Sequence, residues 1–203
     1  MTDQKKTPAP MAVGVEGSEK TFCNAHSSRC PTFPPDENHG THCHKRSATP
    51  ARRKPSMHTA IHEAAHAVVA ASLGAFAEYI TLKSDNEQGN PHCLVSWPAY
   101  IDPAMLRERK VLIFAAGPAA SAIHMHMGWV TSMLVTGKGD MENMQELGVE
   151  GEEMFNAFTQ AKRICRQVWP QILEVAQRSL KRGDLLESEI VMAMLEAREV
   201  GDE

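Results

Sequence analysis

The sequence predicts a mainly α-helical fold with a small β-sheet or hairpin, and three observations carry that expectation. Small and apolar residues recur at helical spacing over 57–73, and a more strongly apolar helical stretch follows near 103–128. Between them lie two short runs that alternate like strands. The chain has 203 residues, 42% hydrophobic and 23% charged, which suits one domain with a real core plus an extension.

That extension is the first 56 residues. It holds seven of the twelve prolines and shows no apolar periodicity, so it reads as a disordered leader that buries too little surface to offset the entropy of ordering it. The leader is basic, with nine Lys/Arg against five Asp/Glu, whereas 57–203 carries twelve against twenty. An acidic folded part argues against nucleic acid as its partner, while a basic leader suits an anionic surface. Within it, "CNAHSSRCPTFPPDENHGTHCHK" brings together Cys23, His26, Cys30, His39, His42, Cys43 and His44. The paired spacings of zinc modules are absent or irregular there. A disordered tail is therefore the first expectation and metal binding by this cluster the alternative. Met57 opens the folded region and offers an alternative translation start.

No apolar run approaches the roughly 20 residues needed to cross a bilayer, and the N-terminus has no apolar segment resembling a signal peptide. A soluble, cytoplasmic protein is the default expectation. The five cysteines form an odd set without a disulfide framework, and Cys93 and Cys165, in apolar contexts, read as buried thiols.

Residues 57–73 form the first expected helix, with Ile61, Ala65, Val68, Val69 and Ser72 at helical spacing and Gly74 as a natural stop. "AEYITLK" (77–83) and "HCLVSW" (92–97) read as strands joined by the turn material "SDNEQGNP", giving a hairpin or neighbouring strands. The edge near 92–97 offers itself to an extended peptide by strand addition. A helix from Pro103 through "AMLRERKVLIFAAGPAASAIHMHMG" is apolar nearly all round after Val111, as a buried central helix would be. "VTGKGD" reads as a glycine-rich loop leading to a helix that starts near Asp140. A long helix over about 152–182 is bent or restarted at Pro170, and "ESEIVMAMLEAR" closes the chain as an amphipathic helix. No internal repeat is visible.

The chemistry lies in "AIHEAAHAVVA", residues 60–70, where His62, Glu63 and His66 form H-E-x-x-H. Histidines four apart on a helix lie about 40° apart around its axis and one turn along it, so both imidazoles can reach one ion. Glu63 is rotated by about 100° from His62, which removes it from the ligand set and suits it to take a proton from water. Zinc is the expected metal, because imidazoles with one carboxylate and an open position suit hydrolytic zinc. By chance the pattern arises in roughly one chain in twenty of this composition. Its place on a well-formed helix, with alanine at both x positions, favours a site over a solvated His/Glu face. For the third ligand, Asp140 at a loop–helix junction competes with its reading as an ordinary N-cap. Of His124 and His126, which point about 200° apart, at most one could face the ion, and Glu142 and Glu146 suit a solvated face better.

Several segments together resemble the peptidase domain of FtsH-type, ATP-dependent zinc proteases. "AIHEAAHAVVAASLG" is similar to that family's H-E-A-G-H helix, and "YITLK" followed by "CLVSW" to its strand pair. "VLIFAAGPAASAI" resembles its buried helix, and "TGKGDMENMQELG" its T-G-x-x-x-D-L loop, where an aspartate is the third zinc ligand. "VWPQILEVAQRSL" and "LLESEIVMAML" fit the closing helices, so the resemblance covers most of 57–200. It implies an FtsH-like domain over 57–203 with a zincin-type helix, His62, His66 and Asp140 as zinc ligands, and Glu63 as the catalytic base. The implied function is a zinc-dependent metalloendopeptidase acting on unfolded or extended polypeptides, independent of ATP by itself.

The chain departs from the family in several places. It has no P-loop and no ATPase module or membrane helices, and without the ATPase the family's ring habit gives no oligomeric state here. Ala65 replaces the motif's glycine, and Gly139 stands where asparagine usually precedes the ligand aspartate. Ser121 stands where the family often has a glutamate supporting the zinc histidines. Such supporting contacts matter about 10–100-fold for metal affinity or activity. The alternative is accordingly a catalytically weak or inactive zinc-containing binding protein of the same fold.

Overall fold

The computed structural model describes residues 55–83 and 91–199, together with the backbone of 20–22. The Cys/His cluster of the leader and most of the turn between the two expected strands lie outside the described residues.

Helix α1 (Met57–Ser72) begins at Ser56, whose side chain accepts a hydrogen bond from the Thr59 amide at 3.1 Å and so satisfies one of the free amides of the first turn. It ends before Gly74, which takes φ +81°, a conformation open to glycine. Every residue from Ala60 to Ala70 is buried, so α1 shares the central position expected of the second helix alone. Its alanines allow that second helix, α2 (Pro103–His124), to lie close against it. Asp102 caps α2 by accepting from the amides of Ala104 and Met105, and Pro103 occupies the first turn, where no amide partner is lost. From Val111 to Ala122 the whole of α2 is buried, as its apolar circumference predicts.

The sheet is small and antiparallel. Strands β2 (Phe76–Thr81) and β3 (His92–Ser96) pair as expected, with an irregularity between Ala77 and Tyr79. Two strands that the sequence pattern did not reveal flank them. β4 (Asp184–Leu186) pairs with β2, and β1 (Lys20–Phe22), inside the leader, pairs with β3, giving the order β1-β3-β2-β4. Over Leu94–Ser96 the expected edge is therefore not free: Thr21 stands opposite Val95 on the side that an extended peptide would take.

The region expected to be a glycine-rich loop is almost entirely helical. Helix α3 (Trp129–Thr136), absent from the sequence reading, runs to Gly137, and α4 (Lys138–Glu146) starts immediately after it. The expected long helix is two: α5 (Gly151–Gln167) and α6 (Trp169–Arg182) break at Val168, with Pro170 in the first turn of α6. Helix α7 (Glu187–Glu199) closes the described chain. The architecture is mainly helical with a small sheet, and α1 sits in its centre against α2, β2 and α6. Among the described residues no single helix is long and apolar enough to cross a membrane.

Candidate metal centre

His62 and His66 stand one turn apart on the buried stretch of α1, and α2 shapes the space in front of them. A Cβ placed on Gly117 would lie 2.4 Å from His66 Nε2 and 2.6 Å from His62 Nε2. Only a residue without a side chain leaves room there. The next residue, Pro118, packs on Gly137, where a Cβ would come within 2.3 Å of the proline Cγ. That second close approach seats the start of α4 against α2. Asp140, in the first turn of α4, is thereby carried to the two imidazoles. Pro118 also accepts a hydrogen bond at its carbonyl from Ser132 Oγ, which ties α3 to the same point.

The polar atoms converge at ligand spacing. His62 Nε2 and His66 Nε2 are 3.2 Å apart. Asp140 Oδ2 lies 3.1 Å from the first and Oδ1 3.4 Å from the second. Ligands about 2.0–2.1 Å from a tetrahedral ion stand about 3.3 Å from one another, so these separations fit one ion shared by all three residues. His62, His66 and Asp140 are buried and form a group that could hold a metal ion. Asp140 Oδ2 is sealed from solvent and makes no hydrogen bond, an arrangement that costs free energy unless a cation completes it.

The second nitrogen of each ring is also engaged. His66 Nδ1 donates to the Ile113 carbonyl at 2.7 Å, which leaves Nε2 as the free ligand atom. His62 Nδ1 lies 3.2 Å from Ser121 Oγ, so Ser121 does occupy the supporting position. Burial alone would lower the His66 pKa, but the Asp140 carboxylate, Glu63 and the Ile113 carbonyl outweigh it and hold it up to about 9. Burial alone would raise Asp140, yet the charge of His66 and the two close imidazoles hold it well below the usual carboxylate range. Glu63 is buried beside the group with Oε2 unpartnered, and burial raises its pKa against the opposing pull of His62 and His66.

The other candidates fall outside this group. Asp140 is not an N-cap: Gly137 holds that position and no side chain caps α4. Glu142 pairs with Lys138 at the surface. His124 is exposed and stacks against His58 with ring centroids 6.4 Å apart, and His126 is exposed at φ 54°. Gly117 and the Ile113 carbonyl are the functional elements that sequence reasoning missed. The small-residue run around Gly117 hinted at close helix approach, whereas nothing in a sequence marks a backbone carbonyl as a histidine's partner.

No protein-family model matches the chain, and no curated protein matches it at a significant level.

Proposed function

We propose that this chain is a zinc-dependent metalloendopeptidase of the FtsH-like kind, cutting extended or unfolded polypeptides without ATP. The observation that carries the reading is the convergence of His62, His66 and Asp140 at 3.1–3.4 Å beside a buried glutamate with an unpartnered oxygen. Zinc is chosen because two imidazoles and one carboxylate with an open position are a hydrolytic zinc donor set, and the ion would supply Lewis acidity toward a scissile carbonyl. Glu63 accepts a proton from the attacking water and returns it to the leaving amine; its raised pKa suits both transfers. Ile113 and Ser121 hold the two imidazoles in the orientation that presents Nε2 inward. An extended substrate that pairs with Leu94–Ser96 of β3 must replace Lys20–Phe22, since that backbone already pairs there. The two buried thiols, Cys93 and Cys165, are free of any disulfide and suit a reducing compartment such as the cytoplasm.

One observation favours a second reading, a zinc-containing binding protein with weak turnover. Ser121 gives His62 a neutral hydroxyl and no carboxylate, so the ring gains less basicity from its partner. Cleavage of unfolded casein separates the two. The peptidase reading expects cleavage that a chelator stops and zinc restores, and that Glu63→Gln lowers by about 100-fold or more, in line with general-base catalysis. A metal-replete wild type without cleavage would leave the binding reading. Undiminished turnover in Glu63→Gln would remove Glu63 as the base.

A further inference from the structure

A groove of about 750 Å³ lies along α5 and shares no lining residue with the candidate metal centre. Its apolar lining is an aromatic set: the Trp129 ring meets Phe155 edge-on at 5.4 Å and Phe158 at a tilt at 6.4 Å between centroids. Phe158 is buried and fixes the set, whereas Phe155 is 42% exposed and presents apolar surface to the groove. Lys162, Arg163 and Arg166 also line it.

These three cations differ from the chain's two other close groups of three Lys/Arg, at 107–110 and 178–182, each of which includes at least one ion pair with a carboxylate. Among the described residues none of the three pairs with a carboxylate; only Lys162 has a partner, the Phe158 ring, 5.9 Å from its Nζ. Elsewhere on the surface Arg107, Lys138, Arg178 and Arg182 each meet a carboxylate. Arg166 gains something from the negative end of the α5 dipole, but Lys162 and Arg163 lie further from that end, where the effect fades.

We propose that this groove docks a peptide segment that carries two or more carboxylates next to an aromatic or long aliphatic side chain. The guanidinium groups offer fork-shaped donors that match carboxylates, and the exposed face of Phe155 with the Trp129 ring takes the apolar side chain. From Phe155 to Arg166 the helix advances about 16 Å, the span of about five residues of extended chain. A compact phosphate ligand fits less well, because the cations sit in the second half of α5, away from the free amides at its start. The proposal is independent of peptidase activity, and its test reads binding alone.

The test is fluorescence anisotropy with the full chain and a labelled peptide of four to six Asp and Glu residues around one central Phe. Binding should saturate, weaken with added salt, and weaken at least tenfold with serine in place of that Phe. Arg163→Glu combined with Arg166→Glu should weaken it at least tenfold, and so should Phe155→Ala. Arg198→Glu on α7, which also removes a surface cation, should not. These positions are at the surface, and an unchanged melting temperature in each variant ties the loss to the groove. The proposal is overturned if the peptide does not bind, if the groove variants bind it as the wild type does, or if AMP or a short RNA displaces it while an excess of unlabelled peptide does not.

Discussion

Gly117 is the residue on which the geometry of the site turns. Its missing side chain leaves open the space in front of both Nε2 atoms, and a methyl there would stand 2.4–2.7 Å from the two imidazoles. Alanine normally favours a helix over glycine by about 1 kcal/mol, so Gly117→Ala on an exposed helix would stabilise. Here the rings are buried and overpacking costs about 1–3 kcal/mol. Gly117→Ala should therefore lower the apo protein's melting temperature and weaken metal binding by tenfold or more, as thermal melts and a chelator-competition titration would record. Unchanged metal affinity would show that the ion sits elsewhere. His66 supplies a pH prediction. Its pKa, held up to about 9, lies above the unfolded value, so the protonated ring stabilises the apo fold below about pH 6.5 and that contribution is lost as pH rises through about 9. A metal must displace this proton. Calorimetry in buffers of different ionisation enthalpy should find about one proton released per ion at pH 7, with apparent affinity rising up to about pH 9. No proton release at pH 7 would contradict the His66–Asp140 pairing.

At the scale of elements, the described residues of the leader meet the fold at two places with different energetic weight. Lys20–Phe22 adds three residue pairs to the edge of a sheet whose other strands are held by the core. Ser56 caps α1, the helix that carries both histidines. Deleting residues 1–54 should leave stability nearly unchanged, whereas deleting 1–56 removes the cap and should cost about 1 kcal/mol, as paired denaturant titrations would resolve. Equal stability of the two truncations would mean that the cap contributes nothing. What the sequence made legible follows the same division. α1, β2, β3 and α2 were readable because periodicity and caps are local signals, and His62, Glu63 and His66 came with them. α3 was not, since "WVTSMLVT" is rich in β-branched residues and starts without a capping side chain. β1 and β4 are three residues each, too short to show alternation, and exist because β2 and β3 offer them partners. The turn expected around Asp140 reduced to Gly137 because Pro118, nineteen residues earlier, packs onto it.

Over the whole molecule, the candidate metal centre depends on three helices meeting at one point: α1 brings His62, Glu63 and His66, α2 yields space at Gly117, and α4 delivers Asp140. Spacing alone identified the histidine pair, but it left Asp140 divided between ligand and cap. The structure removes the cap, since Gly137 holds that position, and leaves Asp140 within 3.1–3.4 Å of both imidazoles, in a group that could hold a metal ion. The most direct test of the shared centre is the zinc content of wild type and Asp140→Asn, measured side by side on the full chain at low, buffered free zinc. Asparagine keeps the size of the side chain while removing the charge that balances a divalent ion. The wild type should hold one more zinc per chain than the folded Asn variant, a difference that any metal held by the leader would not alter. Equal zinc in the two proteins would contradict the assignment of His62, His66 and Asp140 as one metal centre.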